Sequence, residues 1–119
     1  KHWEKSLGIE QIWAEEVLQS NPNEVAERLL LKWRSLKCDK LYITHDIDGT
    51  DSKFVSSTGT PEPDGLEPEW IKILLSRITS ELPLVGSDLV EVAPVLGSKE
   101  SIEQTLSVAT SYVEALLWK

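Results

Sequence analysis

The chain has 119 residues, with 12 Lys+Arg against 20 Asp+Glu, two His, one Cys and no Met. That length suits one domain at most, since domains run to roughly 100–200 residues, and 40% hydrophobic with 27% charged residues is globular composition. A net charge of −8 repels a phosphate backbone, so nucleic acid is excluded as a partner, and neither a membrane-length apolar stretch nor a signal-peptide core is present. The lone Cys38 cannot close an internal disulfide, which points to a reducing, cytoplasmic compartment. A sequence that starts at Lys1 without a Met is expected to be part of a longer chain.

The first twenty residues leave two options open. Ile9, Ile12, Trp13 and Val17 fit a helix, yet a strand over Gly8–Ala14 would complete an extra βαβ unit. Asn21 then caps a helix opened by Pro22, with Val25, Leu29, Trp33 and Leu36 along one face, widened by Ala26 and Leu30. Lys40–Ile47 alternates as a strand, with Leu41, Ile43 and His45 on one face and Tyr42, Thr44 and Asp46 on the other. Asp48 to Leu66 has no periodicity, and a stretch of that kind inside a domain is more often functional than idle. Pro68 opens a second helix with Ile71, Leu74, Leu75, Ile78 and Leu82 on one side, ending at Pro83. Leu84–Val92 is the next expected strand, buried. After Ala93–Gly97, Ser98 or Ser101 caps a third helix, Ser101 with Gln104 as a capping box. Its expected stripe is Ile102, Leu106, Ala109, Val113, Leu116 and Leu117, and Trp33, Trp70 and Trp118 fit helix faces. Strand and helix alternating in this way predict an α/β fold with a parallel sheet.

Ligands in such sheets gather at the carboxyl ends of the strands. Acidic residues stand at both ends here: Asp46 and Asp48 after the first strand, Glu91 in the second. Two residues apart on an extended backbone, Asp46 and Asp48 project to the same side, and carboxylates forced together favour a divalent cation between them. Glu91, set among Leu89, Val90, Val92 and Ala93, needs a metal or a cationic partner. A plainer alternative for the D-x-D is an Asx turn that merely starts the following loop. An EF-hand fails, because Gly49 occupies the fourth loop position and Ser57 the twelfth. His45 points away from Asp46 and is expected to pack in the core, and Cys38 is expected to be a bystander thiol.

Lys40–Thr50 resembles the first motif of the haloacid dehalogenase phosphatases, a strand ending in D-x-D-G-T whose first Asp is the nucleophile. That resemblance accounts for neither the long loop nor Glu91. Asp46–Leu66 as a whole resembles the signature of the ureohydrolases, the arginase and agmatinase family: D-x-D-G-L-D-P, then T-G-T-P-x-x-G-G-L, then a helix and a strand ending E-V-N-P. Thr58-Gly59-Thr60-Pro61 matches without change, and Glu91-Val92-Ala93-Pro94 matches but for Ala93. The resemblance implies a three-layer α/β/α fold, of which residues 1–119 form the C-terminal portion. It implies a pair of Mn²⁺ ions, with Asp46 bridging both and Asp48 binding one. Asp46 and Glu91 would be catalytic, Glu91 would hold the guanidinium group of a small guanidino substrate, and Thr60 would line the site. The implied reaction hydrolyses a guanidino compound to urea and an amine, and family members are commonly homo-oligomers. Thr50, Ser52 and Asp64 depart from the family's Leu, Pro and Gly. The remaining family ligands, a His and a D-A-H-x-D motif, are expected upstream, so the chain alone is expected to be inactive. A non-catalytic scaffold that retains a partial site is the alternative from another class.

Overall fold

The computed structural model describes residues 6–117, which places His2 and Trp118 outside the described residues. Residues 9–13 are neither helix nor strand, and a single turn of helix, α1 (Ala14–Val17), follows. Helix α2 (Pro22–Ser35) starts as its sequence dictates: the Asn21 side chain accepts a hydrogen bond from the Asn23 N–H at 2.9 Å, and Pro22 has no N–H to leave unpaired. It ends in a Schellman motif, with Cys38 N–H donating to the Trp33 carbonyl and Lys37 N–H to the Arg34 carbonyl. Lys37 carries the left-handed φ of 58° that glycine usually takes there. Val25, Ala26 and Leu30 are buried, Leu29 and Trp33 half-buried, and Leu36 exposed.

Strand β1 (Leu41–Asp46) ends one residue before the expected limit, because Asp46 caps a 3₁₀ turn over Ile47–Gly49. The long loop after it is internally pinned rather than open. Asp51 N–H donates to the Leu66 carbonyl at 2.9 Å, Leu66 N–H to Gly49 at 3.0 Å and Ser52 N–H to Glu62 at 2.8 Å. Helix α3 (Pro68–Glu81) buries Ile71, Leu75 and Ile78, with Leu82 just beyond it, and Trp70 ties it to the N-terminal segment through an indole N–H bond to the Ser20 carbonyl at 2.9 Å.

Strand β2 (Leu84–Val90) runs parallel to β1 with α3 as the crossover, forming a sheet of two strands among the described residues. The ladder slips near its start: Leu41 pairs with Leu84 but Tyr42 pairs with Gly86, so Val85 is an extra, bulged residue. The bulge lets Leu84 and Leu89 both reach the core although they lie an odd number of residues apart. Helix α4 (Lys99–Leu117) is the last of the described elements. The Ser98 hydroxyl accepts from the Ser101 N–H at 3.3 Å, so Ser98 is its cap. The Ser101–Gln104 capping box does not form, because the Gln104 side chain donates to the Lys53 carbonyl at 3.0 Å instead. The buried face of α4 is also rotated from the expected stripe. Thr105, Ala109, Tyr112 and Leu116 are buried, whereas Leu106, Val113 and Leu117 are 43%, 40% and 64% exposed. Polarity hid this face: Thr105 is buried because its hydroxyl accepts a bond from the Ser57 N–H, and Tyr112 because it pairs with Thr50.

The core lies between one sheet face and the two helices α3 and α4, where Ile47, Val55, Ile71, Leu75, Ala109, Tyr112 and Leu116 pack with Ile43 and Leu89. Helix α2 packs on α3. On the opposite sheet face the Asp88 carboxylate accepts bonds from the hydroxyls of Tyr42 and Thr44, at 2.6 and 2.5 Å. A Cβ on Gly86 would come within 3.0 Å of the Tyr42 ring, so the glycine makes room for that tyrosine. Parallel strands, a helical crossover and helices on the apolar face make up the expected α/β arrangement, present here in part.

Candidate metal and substrate site

Asp46 and Val90 are paired across the sheet, so the carboxyl ends of β1 and β2 lie side by side. That juxtaposition brings the acidic residues of the two strand ends to one rim. The extended-backbone argument for Asp46 and Asp48 does not hold as stated, because Asp48 sits on the 3₁₀ turn and not on the strand. The turn nonetheless keeps the two carboxylates adjacent. The Asx alternative is also present, since Asp46 Oδ1 accepts from the Asp48 N–H at 3.3 Å. Capping and ligation are compatible roles for one carboxylate, which has two oxygens.

Loss of hydration pushes the Asp46 carboxyl above its ordinary value. The Asp48 N–H opposes this, and the adjacent Asp48 carboxyl pushes the same way as burial. Two crowded carboxylates of this kind are hard oxygen donors, suited to Mn²⁺, Mg²⁺ or Ca²⁺ rather than to thiophilic metals. They can supply part of the ligand set of a hard cation. Among the described residues no group of three or more His, Cys, Asp and Glu is gathered for a metal.

Glu91 departs from its expected setting. The strand ends at Val90, two residues short of Val92, and Glu91 is exposed instead of embedded among apolar neighbours. Its backbone takes the left-handed φ of 61°, which turns the chain sharply out of the ladder. Alternation rules assume an unbroken strand and carry no signal for such a turn. The reorientation brings the carboxylate against the T-G-T segment: a Cβ on Gly59 would lie 3.6 Å from Glu91 Oε2. The same segment is held to the end of β2 by a bond from the Ala93 N–H to the Ser57 carbonyl at 2.9 Å. The Thr60 hydroxyl in turn donates to Asp48 Oδ2. Asp46, Asp48, Thr60 and Glu91 are thus drawn to one rim, each by a different local device.

Around the rim, His45 is half-buried, packed edge-on against Tyr112 with ring centroids 4.8 Å apart, and burial holds its imidazole below the usual value. Its Nε2 and the Thr58 hydroxyl are buried without a hydrogen-bond partner among the described residues. The sequence carries no signal for the role of Asp51 in the loop. Asp51 is 5% exposed and accepts from the Lys53 N–H at 2.8 Å and the Lys53 ammonium at 3.1 Å, which hold its carboxyl below the ordinary value. Asp64, standing where a glycine is expected, keeps a glycine-like φ of 59°, a conformation Asp tolerates better than most residues. Gly65 beside it has no room for a side chain unless backbone moves, since a Cβ there would sit 2.7 Å from the Asp51 backbone nitrogen.

The sequence profile of the arginase family matches residues 1–118. The chain is 36% identical over 108 residues to the N(1)-aminopropylagmatine ureohydrolase of Synechocystis sp., covering 89% of this chain and 32% of that protein. It is 31% identical over 108 residues to arginase-1 of Homo sapiens, covering 90% of this chain and 34% of that protein. The chain therefore spans about a third of the length of these relatives. Its fold is that of the arginase from Bacillus caldovelox, with a TM-score of 0.84 at 22% identity over 99% of this chain and 38% of that one. The dehalogenase resemblance rested on Lys40–Thr50 alone, whereas these matches run through nearly every element described above. With its D-x-D rim, T-G-T-P segment and strand-end glutamate in the family's order, the chain belongs to the arginase family.

Proposed function

We propose that this chain is the C-terminal portion of a manganese-dependent ureohydrolase, cleaving a small guanidino compound such as arginine or agmatine to urea and an amine. The observation that carries this reading is the convergence of Asp46, Asp48, Thr60 and Glu91 on one rim in a chain of the arginase family. Asp46 and Asp48 would hold the Mn²⁺ pair, with the other ligands supplied by residues outside this chain. When bound, such a metal pair lowers the pKa of water and stabilises developing negative charge. Glu91 would face the guanidinium group, its carboxylate free to pair because it is exposed at the rim and meets no cation in the described structure. A guanidinium presents donors in a planar fork that a carboxylate matches with two hydrogen bonds. The left-handed turn at Glu91 brings that carboxylate against Gly59 of the T-G-T segment, whose next residue, Thr60, donates to Asp48.

The compartment proposed is the cytoplasm, and a homo-oligomer the proposed assembly. No helix among the described residues is long and apolar enough to cross a membrane.

The test is urea release from arginine and from agmatine by the protein that carries this chain, with and without Mn²⁺. Metal-dependent urea release is expected, abolished by Asp48→Ala together with tight Mn²⁺ binding. A protein that releases no urea from either substrate, or an Asp48→Ala variant with undiminished turnover, overturns the reading. The isolated 119 residues are expected to show no turnover and weak metal affinity.

A further inference from the structure

We infer that Thr60 is a positioning residue for the metal ligand Asp48, acting through the hydroxyl bond to Asp48 Oδ2 rather than through contact with substrate. This rests on the metal reading of Asp48 given above.

Asp48 stands on a 3₁₀ turn of three residues, half-exposed, with no salt bridge reaching it among the described residues. A carboxylate so placed has rotational freedom to lose before it can bind a metal. The Thr60 hydroxyl restrains it by donating to Oδ2. Ligand carboxylates held by an outer hydrogen bond are oriented and tuned by it, and loss of such a partner typically weakens metal binding 10–100-fold.

The donor is delivered by the backbone. On one side of Thr60, the Ser57 carbonyl accepts from the Ala93 N–H at 2.9 Å, and the Thr58 side chain is 2% exposed. On the other side, the Glu62 carbonyl accepts from the Ser52 N–H at 2.8 Å. The segment between these anchors spans the gap from the end of β2 to the loop behind Asp48, and Thr60 is the residue whose side chain meets the aspartate. Pro61 fixes φ immediately after it. A threonine hydroxyl has one proton, and here it is committed to Asp48, so the group's donor capacity is used up within the protein.

Thr60→Val removes the hydroxyl at nearly constant shape, and Thr60→Ser restores it. The protein that carries this chain is titrated calorimetrically with Mn²⁺ alone, and KM is then measured at saturating Mn²⁺. Thr60→Val is expected to weaken Mn²⁺ binding 10–100-fold, Thr60→Ser to bind within about threefold of the parent, and KM to change little in either. Thr60→Ala, folded by circular dichroism, is expected to show the same loss as Thr60→Val. Parent-like Mn²⁺ affinity in both the Val and Ala variants overturns the inference, as does a raised KM with Mn²⁺ affinity intact, which assigns the hydroxyl to substrate. A parent protein that binds no Mn²⁺ overturns the metal reading itself and takes the inference with it.

Discussion

Thr50 and Tyr112 share a hydrogen bond of 2.8 Å between two hydroxyls that are both shut away from water. The bond ties the turn carrying Asp48 to the middle of α4, and it explains how threonine can stand where the family has leucine. Removing either partner strands the other. Tyr112→Phe or Thr50→Val alone is expected to destabilise the protein by about 1–3 kcal/mol, the cost of an unsatisfied buried hydroxyl. The double variant is expected to be more stable than the sum of the two losses predicts. Urea denaturation of all four proteins measures the coupling.

The same tyrosine sets an alkaline limit. Burial pushes the Tyr112 phenol from 10.0 up to about 12, against the smaller opposing effect of its bond to Thr50. The unfolded chain therefore loses this proton first. Stability is fully present below pH 10 and is lost as pH rises towards 12. Unfolding curves at pH 9 and pH 11.5 are expected to differ more for the parent than for Tyr112→Phe. Equal differences in the two proteins would remove the phenol from the account.

Gly65 and Asp64 form a natural control pair. Gly65→Ala forces a Cβ to within 2.7 Å of the Asp51 nitrogen and 2.8 Å of the Thr50 carbonyl carbon, so backbone must move. A loss of about 1–3 kcal/mol is expected, as for other overpacked sites. Asp64→Gly, at a position already left-handed and exposed, is expected to change stability by less than about 1 kcal/mol. Thermal unfolding of the two variants tests the contrast.

Glu91 separates backbone strain from charge. A left-handed non-glycine residue costs about 1–2 kcal/mol, which Glu91→Ala retains and Glu91→Gly relieves. The glycine variant is expected to be the more stable of the two by about 1 kcal/mol after its own greater unfolded-state entropy is counted. Glu91→Gln keeps the size of the side chain but removes the charge. It is expected to retain Mn²⁺ binding and lose turnover, and a Gln variant with parent-like turnover would refute the role of the carboxylate.

The elements were legible where one periodicity governed a whole segment. Pro22 and Pro68 marked both helix starts, and Ile71, Leu75 and Ile78 marked the buried face of α3. In α4 the buried face is partly polar, with Thr105 and Tyr112 satisfied by partners more than forty residues away, and a hydrophobicity pattern has no access to such partners. The motifs point to Asp46, Asp48, Thr60 and Glu91 as candidates, but they carry no signal for the geometry of these residues. Asp48 meets Asp46 through a capped turn, and Glu91 reaches the rim through a left-handed backbone. Both are departures from strand geometry at the strand's end, where alternation stops informing. The pinning of the 50–66 loop was equally invisible, because main-chain bonds between Gly49, Asp51 and Leu66 depend on path and hardly on side-chain type.

The bulge at Val85 gives β2 one residue more than its ladder uses. Val85 is 63% exposed, and the residues after it already alternate in step with β1: Ser87 beside Ile43, Leu89 beside His45. Deleting it would join Leu84 directly to Gly86 and restore regular pairing, with every later side chain still on its present face. A strand ordinarily tolerates no length change, because one residue gained or lost inverts all that follow. At Val85 alone the strand could lose a residue and still leave Val90 paired with Asp46, with Glu91 following it at the rim.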